Sequence, residues 1–141
     1  MILSQTSEYA LRAVLHLAGQ PGGRLVRAAD VAGALHIPRN YLSKIFHALA
    51  RAGVLTSARG KSGGFRLAQP PEEVTLLDIV SEFDDMTARR HCLLGRPVCS
   101  DRTACHAHRR WKTTSEAVAT FFRETTVSDL LRQAPAGVDA T

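Results

Sequence analysis

Cys92, Cys99 and Cys105 are the only thiols in the chain, and all three fall within the stretch HCLLGRPVCSDRTACHAHRRW. His91, His106 and His108 stand beside them. Thiolates are the usual ligands of iron–sulfur clusters, which normally take four protein donors. Three cysteines with one histidine also suit tetrahedral zinc. A metal-free thiol–disulfide switch is a third chemistry, with Arg89, Arg90, Arg96 and Arg102 favouring the thiolates. A nucleophilic reading, with Cys105 attacking and His106 or His108 as base, lacks an oriented acid or an oxyanion motif, so no enzyme is expected. Six and five residues separate the cysteines, a spacing loose enough for a loop to wrap a ligand and leave one position to another residue. If a helix has begun by Cys105, His108 shares its face three residues on, whereas His106 is turned by about 100°. His108 is therefore the better ligand from within the loop.

A second chemistry lies upstream. Arg39, Asn40, Tyr41, Ser43, Lys44 and Arg51 occupy one side of a segment whose other side is Leu42, Ile45, Phe46 and Leu49. Donors crowded at the start of a helix suit entry into a major groove, where arginine can fork onto guanine and asparagine onto adenine. Lys44 and Arg51 suit phosphates. Downstream, RGKSGG offers Arg59 and Lys61 on a glycine-rich turn, with the glycines expected to let backbone approach a duplex. A merely solvated basic face is the plain alternative. Lysine and arginine outnumber aspartate and glutamate by 18 to 13, a net charge of +5 that is compatible with nucleic acid but weak by itself. The glycine turn lacks the spacing of a nucleotide-binding loop.

The elements that must hold these residues follow from periodicity. Ala10, Leu11, Val14, Leu15, Leu17 and Ala18 predict a first helix, capped by Ser4, Thr6 or Ser7 and ended by Gly19. A short helix is expected from about Ala28 to Leu35, and a third from about Arg39 to Ala52, with Pro38 at its start. VLTSARGKSGGFRLA predicts a β-hairpin. Thr75 with Asp78 is a capping-box start for LLDIVSEF. The cysteine segment is expected to be a loop, followed from about Thr103 by a helix of about 24 residues spanning roughly 36 Å. Along it Ala107, Trp111, Thr114, Val118, Phe121 and Thr125 form a seam that asks for a partner helix. A short turn around VSDLL precedes a frayed tail.

The fold class read from this order is mainly α with a small β-hairpin wing, a winged helix-turn-helix plus a long C-terminal dimerisation helix. Residues 1–85 form the expected DNA-binding unit, 86–104 the cysteine loop, 105–133 the dimerisation helix and short terminal helix, and 134–141 a disordered tail. No run approaches the roughly 20 apolar residues of a membrane span. The N-terminus carries neither a basic leader nor a cleavage site, so no membrane association and a cytoplasmic location are expected.

MILSQTSEYALRAVLHLA, IPRNYLSKIFHALARAGVLTSARGKSGGFRLA, VTLLDIV and the cysteine loop closed by CHAHRRW and TTVSDLL resemble the Rrf family of bacterial winged-helix regulators. That family includes the iron–sulfur regulators IscR, NsrR and RirA. The resemblance covers all but the last few residues. It implies a DNA-binding transcriptional regulator, expected to be a repressor, that senses iron–sulfur, redox or nitric oxide status. It further implies a homodimer on a pseudo-palindromic operator in double-stranded DNA. Cys92, Cys99 and Cys105 would hold the cluster. For the fourth position, CHAHRRW resembles the ligand stretch of the IscR branch and favours His108. In other branches an acidic residue on the first helix completes the cluster from the opposite subunit, which points to Glu8. As a plain surface residue, Glu8 would instead pair with Arg12 one turn on. One extra residue between the first two cysteines departs from IscR-like spacing and leaves both [2Fe–2S] and [4Fe–4S] open, with zinc as the alternative cofactor.

Overall fold

The computed structural model describes residues 2–86, 92–97 and 100–133. Helix α1 spans Gln5–Ala18, and the Ser4 hydroxyl accepts from the Ser7 amide to close its first turn. Asp84 in turn accepts from both the amide and the hydroxyl of Ser4, at 3.0 Å each, tying this start to a distant segment. Helix α2 spans Ala28–Leu35 and ends at His36 in the left-handed conformation, with φ 56°. Helix α3 follows at Arg39–Arg51, after Pro38 has set an extended entry. Its stripe of Leu42, Ile45, Phe46 and Leu49 is buried as the 3–4 spacing demands.

Strands β1, Leu55–Ala58, and β2, Gly64–Leu67, pair antiparallel with Leu55 opposite Leu67 and Ala58 opposite Gly64. Val26 adds an isolated bridge to Phe65, exchanging hydrogen bonds of 2.9 and 2.8 Å. A Cβ at Gly64 would meet the Val26 carbonyl at 2.6 Å, and one at Gly63 would meet the Ala58 carbonyl at 2.3 Å. The protein's own backbone therefore requires glycine at these two positions, whatever the turn contacts. Sequence alone does not show which side of the turn faces inward.

Helix α4, Leu76–Val80, begins with the expected capping box of Thr75 and Asp78. Helix α5 covers His108–Glu124, 17 residues, and α6 covers Val127–Gln133. The long helix thus starts five residues later than Thr103. Ser100 caps a 3-10 turn over Asp101–Thr103 by accepting from the Thr103 amide, and Ala104 is extended, so local side-chain capping wins over continuation of the helix.

Among the described residues two apolar clusters result. The larger joins α1, α2, α3 and the hairpin around Val14, Val31, Leu42, Phe46 and Leu49. The smaller joins α4 to α5 through Leu76, Val80, Met86 and Phe122, with Val118 packed against it. Helix α6 returns to the first unit. Thr126 bridges Thr75, Leu76 donates to the Thr125 carbonyl and Val127 to that of Val74, while Val127 joins the larger cluster. A second capping box, Thr126 with Asp129, therefore starts beside the first. None of the helices among the described residues is long and apolar enough to cross a membrane. Residues 134–141, expected to be a tail, lie outside the described residues.

Candidate nucleic-acid interface and cysteine centre

The start of α3 presents Arg39, Asn40 and Lys44 as exposed side chains, with Ser43 half-buried and Arg51 exposed at the far end. No acidic residue lies in its first turn. Tyr41, 37% exposed, is engaged on the protein side: its hydroxyl is hydrogen-bonded to that of Thr6, and its ring meets Tyr9 edge-on at 5.7 Å. It braces α3 against α1. Arg59 and Lys61 are exposed on the hairpin turn. The hairpin is fixed to α3 through Phe65, whose ring lies 5.0 Å from that of Phe46 and 5.5 Å from that of His47. Helix α3 and the hairpin are thus parts of one packed unit.

The cysteine segment brings two of its thiols together. The Cys92 and Cys105 sulfurs lie 3.5 Å apart, Cys92 buried and Cys105 half-buried. The backbone amide of Arg96 does most to hold the Cys92 thiol below its ordinary value. Burial opposes this, while the Leu94 amide and the Cys105 thiol add to the lowering. The Arg96 guanidinium contributes least and donates instead to the Thr103 carbonyl, at 3.1 Å. Turn amides therefore favour the thiolate more than the Arg96 charge does. Cys99, like His91, Arg89 and Arg90, lies outside the described residues. Among the described residues no three His, Cys, Asp or Glu side chains gather as a ligand set.

His108 is placed differently from expectation, because Cys105 precedes the helix and does not share a helical face with it. The His108 amide donates to the Cys105 carbonyl at 3.1 Å, and its Nε2 pairs with the Asp101 carboxylate at 2.9 Å. Lys112 joins the same carboxylate at 3.2 Å. His108 and then Lys112 hold Asp101 below the usual carboxylate range. His106 is exposed. Sequence reasoning missed Asp101; its signal was the Ser100-to-Thr103 turn, which fixes a carboxylate just ahead of the helix. Glu8 is exposed on α1. The Arg12 guanidinium donates to the Leu35 carbonyl at 2.9 Å and lies 5.9 Å from the Tyr9 ring centroid, so it closes α1 onto α2 in place of the Glu8 pair.

A family model described as Rrf2, iron-dependent transcriptional regulator, matches residues 3–133. The chain belongs to the Rrf2 family. Among curated relatives of this Rrf2 protein, one from Aquifex aeolicus described as an HTH-type transcriptional regulator is 38% identical over 133 residues, 93% of this chain and 92% of the relative. The solved structure of CymR, the global cysteine regulator of B. subtilis, shares the fold with a TM-score of 0.78 at 24% identity, over 94% of this chain and 98% of that one. T. potens IscR does so with a TM-score of 0.76 at 22% identity, over 97% and 91%. As an Rrf2 member with the winged helix-turn-helix arrangement, the protein is a transcriptional regulator and not an enzyme.

Proposed function

We propose that this Rrf2 protein is a homodimeric, cytoplasmic repressor whose cysteine loop reports iron–sulfur, redox or nitric oxide status to its DNA-reading helix. The observation that carries the sensing half is the close pair of Cys92 and Cys105 sulfurs beside the start of α5. The donor chemistry fits a cluster: a buried thiol with lowered pKa, a second thiol in contact with it, and Cys99 as the third. A bound cluster would supply a centre responsive to oxidants and nitric oxide. For the fourth position His108 is favoured over Glu8, because a carboxylate bonded to one imidazole nitrogen, as Asp101 is here, is the usual support of a metal-bound histidine.

The chain's own residues then carry the signal. The Cys105 carbonyl is bonded to the first residue of α5. Helix α5 packs on α4, α4 on α1, and α1 on α3. A held loop biases this stack toward one arrangement of the two reading helices in the dimer, and a released loop toward another. Operators sample that separation in steps of about 34 Å per turn. Arg39 and Asn40 read base edges, Lys44 and Arg51 meet phosphate, and Arg59 and Lys61 enter the flanking groove. Ser43 faces the duplex between them, and Tyr41 serves to set the tilt of α3.

The alternative is a regulator with structural zinc or a bare thiol switch, which the same sulfur contact would permit. Purification without oxygen, followed by a visible spectrum with iron, zinc and acid-labile sulfide counts, separates the readings. Iron and sulfide with thiolate-to-iron absorption are expected, and His108→Ala should perturb that spectrum more than Glu8→Ala. A colourless, zinc-loaded protein overturns the sensing reading and leaves DNA binding untouched.

A further inference from the structure

Arg27 sits at the N-cap of α2, a position that favours Ser, Thr, Asp or Asn, and its side chain makes no capping bond. Its guanidinium reaches instead across to the hairpin turn and donates to the Lys61 carbonyl. The root of the hairpin is held independently, by the Val26–Phe65 bridge and by Phe65 packed on Phe46. Among the described residues the tip is otherwise held by its own turn bond alone, from the Gly63 amide to the Gly60 carbonyl at 3.0 Å. Arg59, Gly60, Lys61 and Ser62 are all exposed, and an open cleft of about 600 Å³ separates this turn from the start of α2. The Arg27 bond spans that cleft.

We propose that Arg27 is a positioning residue that fixes the wing tip relative to α3, so that one rigid unit engages the major groove and the adjoining minor groove together. The inference rests on Arg59 and Lys61 touching DNA, as set out above. Without the bond the tip samples several positions. Arg59 and Lys61 then lose contact more often, while α3 binds as before. A direct phosphate contact by Arg27 would behave differently, weakening binding whether or not the wing side chains are present.

A double-mutant cycle decides between these roles. Arg27→Ala, the wing variant Arg59→Ala with Lys61→Ala, and the triple variant are compared by anisotropy on an operator fragment. Lys61→Ala removes only the side chain, so the carbonyl that Arg27 holds is retained. Arg27→Ala alone should weaken binding by about tenfold, the loss of roughly one good contact. Its hydroxyl-radical protection in the wing's minor groove should fade while methylation protection under α3 persists. In the wing variant the further loss of Arg27 should cost less than about twofold. Costs that multiply, or an Arg27→Ala protein with undiminished minor-groove protection, overturn the proposal. A wing variant that binds like the parent would instead sink the wing contacts themselves, a separable failure.

Discussion

Each functional side chain does its work through a particular neighbour. Cys92 owes its lowered pKa chiefly to turn amides, and Asp101 owes its own to His108 and Lys112. On α3, Arg39 and Lys44 are both exposed near the first turn, yet their proposed roles differ. Arg39→Ala should relax preference at one base pair, a discrimination of about 1–3 kcal/mol. Lys44→Ala should weaken all sequences alike and reduce the salt slope by about one. Competition assays against single-base operator variants at several salt concentrations separate the two. The exposed basic side of α3 was legible in the sequence, because the buried stripe of Leu42, Ile45, Phe46 and Leu49 leaves Arg39, Asn40 and Lys44 facing outward. Their engagements were not. Tyr41 turned to Thr6 and Arg12 to Leu35, since both partners come from elements distant in sequence.

At the scale of elements, periodicity located α2 over the same residues as expected and α3 to within one, because their buried stripes leave little freedom. The long helix was misplaced because an apolar seam says nothing about competing caps. Ser100 and the extended Ala104 delay the start of the helix, and packing against α4 buries Phe122 on α5. Helix α6 depends on its own cap. The Thr126 amide, then Arg132, hold the Asp129 carboxyl below the usual range. A depressed carboxylate stabilises the fold above its unfolded pKa, and that stabilisation is lost as pH falls through the lower folded value. Amide protection of α6 should therefore persist through the ordinary carboxylate range and fall only at more acidic pH. Thr126→Ala should cost about 1 kcal/mol of stability at neutral pH, seen as a lower Tm. A variant with unchanged Tm would mean that the bridge to Thr75 alone holds the segment.

Among the described residues, α5 leaves an aromatic ring uncovered. Val118 of the expected seam packs against the chain's own smaller cluster, whereas Phe121 is 50% exposed with its ring against Phe122. A second copy of α5 covers it in the proposed dimer, which would also bring two reading helices to one operator. Phe121→Glu should shift the protein from dimer to monomer in sedimentation velocity and weaken operator binding by more than about tenfold through loss of the second half-site. A dimer that survives the substitution would place the interface elsewhere. In the proposed regulator this surface is coupled to the sulfur pair at the start of the same helix. The operator Kd of anaerobically prepared protein is measured before and after its metal is stripped, both at one salt concentration. A difference of about 5- to 150-fold is expected, the usual size of a coupling between sites. Equal affinity of the loaded and stripped forms would contradict it.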